Sequence, residues 1–261
     1  MRRDRSWRAG CAMAVLLAVL PFLAPGELHG QNAPRDTEIY QWNGNGWNRV
    51  EGSGVRIAVG ANGQPWIVRA NGQILRRTRD GYEQLPGTAR DIAIGGDGSA
   101  WIIGTDSAVY RWTGRTWERL EFTGTAISAD VDGNPWVVGS GGQIFRWDRD
   151  RFITVPGTAS DIGAESSVWI IGRDGAAQEM QSNGRFSPAR GSGVRVSAGV
   201  DGRAWVVNER GEIYRWNGNA FEQMPGTATD VSVNMRGEAF VVGTPIQGPA
   251  PAPPIVRPRR R

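Results

Sequence analysis

The sequence has one cysteine, Cys11, and one histidine, His29, and both fall within its first thirty residues. Beyond that segment no disulfide can form, and Ser-His-Asp or Cys-His catalysis and zinc sites built on Cys or His are excluded. Lysine is absent, so all 30 basic residues are arginine. Residues 31–247 carry 22 Arg against 24 Asp and Glu, a balance of −2, which gives the body of the chain no basic surface for nucleic acid. No pair of carboxylates stands apart from the repeat pattern, so general acid–base catalysis has no candidate. The chain reads as a non-enzyme with no catalytic residue and no cofactor.

Long apolar runs are equally scarce. The one that exists, Ala9–Ala24, contains Pro21 and is shorter than the roughly 20 residues that span a bilayer. Arg2, Arg3, Arg5 and Arg8 precede it and Pro25-Gly26 follows it. That order predicts a secretory signal peptide over 1–30, cleaved near residues 26–30, and a secreted or periplasmic protein; a retained anchor is the rival reading. Residues 31–37 read as a linker. At the other end, residues 248–261 form a Pro/Arg-rich tail with no means of packing. Two readings of it stay open: a solubilising disordered end, or contact with an anionic surface through Arg257, Arg259, Arg260 and Arg261.

What remains, residues 38–247, is repetitive. Trp66, Trp101, Trp136, Trp169, Trp205 and Phe240 recur at intervals of 35, 35, 33, 36 and 35. A second aromatic series runs Trp47, Tyr82, Trp117, Phe152, Phe186 and Phe221, and a glycine series runs Gly52, Gly87, Gly124, Gly157, Gly191 and Gly226. Three series with one period of about 35 mark a supersecondary repeat. In the clearest copy, Asp91–Ile94, Ala100–Ile103, Val109–Trp112 and Trp117–Leu120 are β-branched or aromatic runs closed by Gly, Asp or Thr. Asp97-Gly98 between the first two is a hairpin signal. Each copy therefore predicts a four-stranded antiparallel meander, too small to bury both of its faces alone.

Four-stranded units that close around an axis make a β-propeller, and closure protects edges that an open stack would expose. The count predicts an all-β, six-bladed propeller. Its last blade would take two strands from each terminus, because Asp230–Asn234 and Ala239–Val242 lack partners while Ile39–Trp47 matches a third and fourth strand.

The second-strand aromatics are expected to be core between blades. The third-strand series, Trp42, Arg77, Trp112, Trp147, Met180 and Trp216, is less uniform and abuts the turn to the fourth strand. A half-exposed Trp beside Arg111, Arg146 or Arg215 makes a surface that can stack on a sugar and hydrogen-bond its hydroxyls. Trp42, Arg111, Trp112, Arg146, Trp147, Arg215 and Trp216 are therefore candidate ligand residues, with core packing the competing role. Asp130-Val131-Asp132-Gly133-Asn134 imitates the start of a calcium loop but lacks its later glutamate. Other repeats hold ordinary hairpin turns there, so it carries no expected metal.

Pro-Gly-Thr-Ala at Pro86, Pro156 and Pro225, Asp-Gly-x-x-Trp, and Ile-Tyr-Arg-Trp-Asn-Gly from Ile213 together resemble the tectonin repeat over Glu38–Thr244. The resemblance implies a lectin-like propeller that binds a glycan or bacterial lipopolysaccharide at repeated sites. Its alternative is an interaction scaffold for a protein partner, without sugar binding. Met180 and Arg77 depart from the pattern and put sites on their two blades in doubt.

Four residues after each glycine of the third series stand Arg56, Asp91, Ser128, Asp161, Arg195 and Asp230. Around a closed ring every Arg lies between two acids. These residues predict a structural hub in which each guanidinium bridges adjacent blades.

Overall fold

The computed structural model describes residues 34–244, all of whose regular structure is β. The signal-peptide segment, residues 31–33 of the linker and the Pro/Arg tail lie outside the described residues. The chain opens with β1 (Thr37–Trp42) and β2 (Trp47–Gly54), then β3 (Arg56–Val59), β4 (Pro65–Val68), β5 (Gln73–Thr78) and β6 (Gly81–Ile94). β7 (Ala100–Gly104), β8 (Ala108–Trp112) and β9 (Trp117–Thr123) follow. After them come β10 (Ala126–Ala129), β11 (Pro135–Val138), β12 (Gln143–Asp148) and β13 (Arg151–Thr158). The rest are β14 (Asp161–Ala164), β15 (Val168–Ile171), β16 (Ala176–Met180), β17 (Phe186–Ser192), β18 (Arg195–Ala198), β19 (Ala204–Val207), β20 (Glu212–Trp216), β21 (Phe221–Val233) and β22 (Ala239–Gly243).

Two strands are longer than the repeat predicts. β6 and β21 each pass from the outer edge of one sheet to the innermost position of the next, joining sheets that the sequence treats as separate. Otherwise each sheet is a meander, as in β10-β11-β12-β13 and β14-β15-β16-β17. The innermost strands lie side by side in the order β3, the end of β6, β10, β14, β18, the end of β21, and back to β3. The fold is a β-propeller. It closes where β22 pairs antiparallel with β1, with Ile39 opposite Val242 and Tyr40 opposite Val241.

The three sequence series meet at the seams between blades. Trp66, Trp101, Trp136, Trp169, Trp205 and Phe240 are all buried. The second aromatic series ties each blade to the one before it. The indole nitrogens of Trp47 and Trp117 donate to the carbonyls of Pro225 and Pro86 at 2.8 and 3.0 Å, and the Tyr82 hydroxyl donates to the carbonyl of Glu51 at 2.9 Å. Each acceptor immediately precedes a glycine of the third series. At Gly52, where φ is +121°, a Cβ would lie 2.6 Å from the Tyr82 hydroxyl. At Gly191 it would lie 2.4 Å from the Phe221 ring. Glycine recurs here because the next blade's ring occupies the side-chain space.

Trp101, 3% exposed in this packing, tests the seam. Trp101→Ala should lower unfolding free energy by about 3–5 kcal/mol, read from urea denaturation, because the rigid rings around it cannot collapse into the cavity.

Candidate functional site

The residues predicted for the hub converge on the axis around one guanidinium. Arg195 directs Nε to Asp230 at 2.6 Å, one terminal nitrogen to Asp161 at 2.8 Å and the other to Asp91 at 3.1 Å. The three carboxylates come from three different blades, and a planar trigonal cation is the shape that can serve all three. Each carboxylate also uses its second oxygen to accept a backbone N–H from the innermost strand of the next blade. Asp230 takes Ile57, Asp91 takes Ile127 and Asp161 takes Val196, at 2.9, 2.9 and 2.7 Å. A second tier repeats the device with hydroxyls: Ser232 accepts from Val59, Ser128 from Ala164 and Ser197 from Val233.

This differs from pairwise alternation in two respects. Strand register places Ala126, not Ser128, level with Asp91, since Ala126 faces Val138 as Asp91 faces Ile103. Counting forward from Gly124 overshoots by two residues, which moves Ser128 up to the hydroxyl tier. With alanine beside it, Asp91 turns across the axis to Arg195. Arg56 is the weaker partner: its Nε lies 3.7 Å from Asp91, and a terminal nitrogen donates to the carbonyl of Val55.

Burial raises the Asp161 carboxyl to about 7; Arg195 opposes the shift and the charges of Asp91 and Asp230 add to it. For Arg195, burial alone would lower the pKa, but the three carboxylates overcome it and hold the guanidinium well above its usual range. Glu165, in the short hairpin after β14, is also pushed to about 7, by burial and then by the charge of Asp130. Asp130 caps its own turn, accepting the N–H groups of Asp132 and Asn134. Among the described residues no three His, Cys, Asp or Glu are grouped to hold a metal.

The seven candidate ligand residues lie elsewhere, at the seams. Trp112 and Trp117 meet at 4.9 Å between centroids, and both present edges to Trp66 of the preceding blade. Trp42 and Trp47 do the same to Trp205, and Trp216 and Phe221 to Trp169. Trp147 packs on Phe152 and donates its indole N–H to the Arg149 carbonyl. Arg111, Arg146 and Arg215 lie over Trp101, Trp136 and Trp205 of their own blades at 5.4, 5.7 and 5.9 Å. The cause is strand register, which sets Trp101 opposite Arg111, Trp136 opposite Arg146 and Trp205 opposite Arg215. The four indoles are half-buried, and those of Trp42, Trp112 and Trp216 pack across the seams, whereas the guanidinium groups cover rings of their own blades, with Arg111 exposed.

Concave surface appears at the opposite ends of the strands, by the turns between second and third strands. One groove of about 390 Å³ lies between Asn208–Gly211 and the Thr227–Thr229 segment. A second of about 390 Å³ lies between Asp174-Gly175 and the same Asn208–Arg210 turn. A third of about 450 Å³ is bordered by Arg119, Gln143, Phe122 and Phe145. Sequence reasoning passed over these turns, although a short polar segment recurs there, as in Asn71-Gly72, Asp174-Gly175 and Arg210-Gly211.

The tectonin domain model matches residues 25–101 and 88–179. The chain belongs to the tectonin family. No curated protein matches the sequence. Among solved structures, this tectonin propeller is similar to U3-55K, with 10% identity, 76% of this chain and 75% of that one covered, and a TM-score of 0.53. That is a likeness of fold. YCF48 bound to D1 peptide aligns at 15% identity over 78% and 84% of the two chains with a TM-score of 0.49. YCF48 from Cyanidioschyzon merolae aligns at 15% over 77% and 86% with 0.48.

Removing the Arg195 guanidinium leaves three facing carboxylates. Arg195→Ala should cost at least about 3–5 kcal/mol by urea denaturation, and Arg195→Lys, with a point charge in place of the fork, should recover only part. The hub also sets a pH slope. Folded Asp161 keeps its proton to about pH 7, whereas unfolding returns it to its ordinary value of 3.8, so the folded state holds more protons between these limits. Stability should therefore fall as pH rises from 5 to 7 and level off above. Glu165 adds a slope of the same sign, and in Asp161→Asn the fall in Tm over that range should shrink.

Proposed function

We propose that this tectonin protein is an exported, six-bladed propeller that binds carbohydrate, such as a bacterial surface glycan or lipopolysaccharide, in the grooves between its blades. Being a propeller binding protein follows from the family; the ligand class, the export and the blade count are the reading offered here. Six recurrences of the second-strand aromatic, and innermost strands that follow one another around the axis, support the count. The arginines before the apolar run of residues 9–24 support export.

One observation favours a sugar over a protein. Among the described residues Val194 alone is a large hydrophobic side chain left exposed, at 40%. Protein interfaces are anchored by exposed aromatic and aliphatic residues that become buried, and this surface offers almost none. The grooves instead present hydroxyl, amide, carboxylate and guanidinium groups, suited to sugar hydroxyls, and the third adds the Phe122 and Phe145 rings. Such grooves are shallow, so single-site binding is weak and the repeat supplies avidity.

Arg210 borders two grooves, which makes it the decisive residue. On an array of glycans and lipopolysaccharides the full chain should bind a sugar class, and Arg210→Ala should reduce that signal about tenfold or more. Trp112→Ala and Trp147→Ala should lower Tm first. An array without signal, or one that Arg210→Ala and Phe145→Ala leave unchanged, overturns the sugar reading and leaves the protein-interaction scaffold.

A further inference from the structure

Inside the ring of innermost strands lies a polar void of about 40 Å³. Arg195 borders it, with its guanidinium committed to Asp91, Asp161 and Asp230. Ser128, Ser197 and Ser232 line it, each already accepting one backbone N–H and each retaining a lone pair. Glu165 lines it too. Only 8% of this residue is exposed, and its Oε2 is buried with no hydrogen-bond partner. A buried carboxylate oxygen without a donor is costly, and a native fold retains one where something occupies the space beside it.

The charges around the axis say which kind of occupant. Once Asp161 and Glu165 lose their protons near pH 7, Asp91, Asp161, Asp230, Glu165 and the nearby Asp130 bring five carboxylates against the two guanidinium groups of Arg56 and Arg195. The excess is negative, and the donors on offer are oxygens: a carboxylate, hydroxyls and main-chain carbonyls. About 40 Å³ holds roughly three water-sized groups, room for one small ion with its water. We propose that the axial void is a binding site for one small hard cation, held by Glu165 Oε2 with serine hydroxyls, carbonyls and water completing an all-oxygen shell. The calcium-like run at Asp130 is not this site; its carboxylate closes a turn.

The test uses the full chain stripped with EDTA and probed with Ca²⁺, Mg²⁺ and Na⁺ separately. At least one ion should raise Tm by about 3 °C or more, and Glu165→Gln should abolish that rise. Which ion responds identifies the charge and size accepted. Equilibrium dialysis of the unmutated chain against the responding ion should give about one per chain, a measurement that does not depend on the variant folding. No shift with any of the three ions, an equal shift in Glu165→Gln, or no bound ion by dialysis overturns the proposal.

Discussion

Everything in this molecule depends on one constraint: a four-stranded sheet of about 35 residues has two apolar faces and cannot cover either by itself. The solution is to bury one aromatic residue per repeat between neighbouring sheets and to continue until the first sheet meets the last. Seam geometry dictates composition far from the seam. A ring from the fourth strand needs a place to lie, so the preceding blade supplies glycine; its polar edge needs an acceptor, so it reaches the carbonyl just before that glycine. Two series that look independent along the chain are two halves of one contact.

The axis solves a different problem. Innermost strands have one hydrogen-bonding edge facing the channel, and no further strand can fit there. Side chains of the preceding blade replace the missing strand, with Asp and Ser oxygens accepting the inward N–H groups. Three of those acceptors are carboxyl groups, whose remaining oxygens converge on the axis, and arginine joins them with three donors in one plane. Buried ion pairs are weak sources of net stability but strong determinants of arrangement, since a misplaced blade would leave a carboxylate unpaired.

Much of this was legible in the sequence, to the extent that spacing alone carries it. Trp101 and its equivalents announced the seams, and Ile39–Trp47 announced that the termini share a sheet. The hub residues could be picked out too, but their pairing could not: Asp91 and Arg195 lie 104 positions apart and meet only across the axis. Counting from glycines also assumed constant spacing, and the extra residues around Phe122 broke that assumption at Ser128. The candidate ligand residues show a third limit. Position near a turn does leave Trp42, Trp112, Trp147 and Trp216 partly exposed, but strand register, which spacing does not show, also sets Arg111 opposite Trp101 and lays its exposed guanidinium over a core ring. The grooves went unnoticed because they are made by backbone turns of adjacent blades, whose residues are unremarkable singly.

The pairing of β22 with β1 carries a kinetic consequence. Ile39 and Val242 are about 200 residues apart, so bringing them together closes the longest loop in the described fold, and loop entropy opposes that step more than any contact within a blade. Individual meanders are local and can form early, but the ring stays open until the final strand arrives. Throughout that interval β21 and β1 leave unpaired edges on either side of the gap, the kind of template on which chains add to one another. The protein thus passes from a stack able to recruit a second copy across an open gap to a closed ring that keeps only the outer edges of its blades, and the last strand made is the one that ends that exposure.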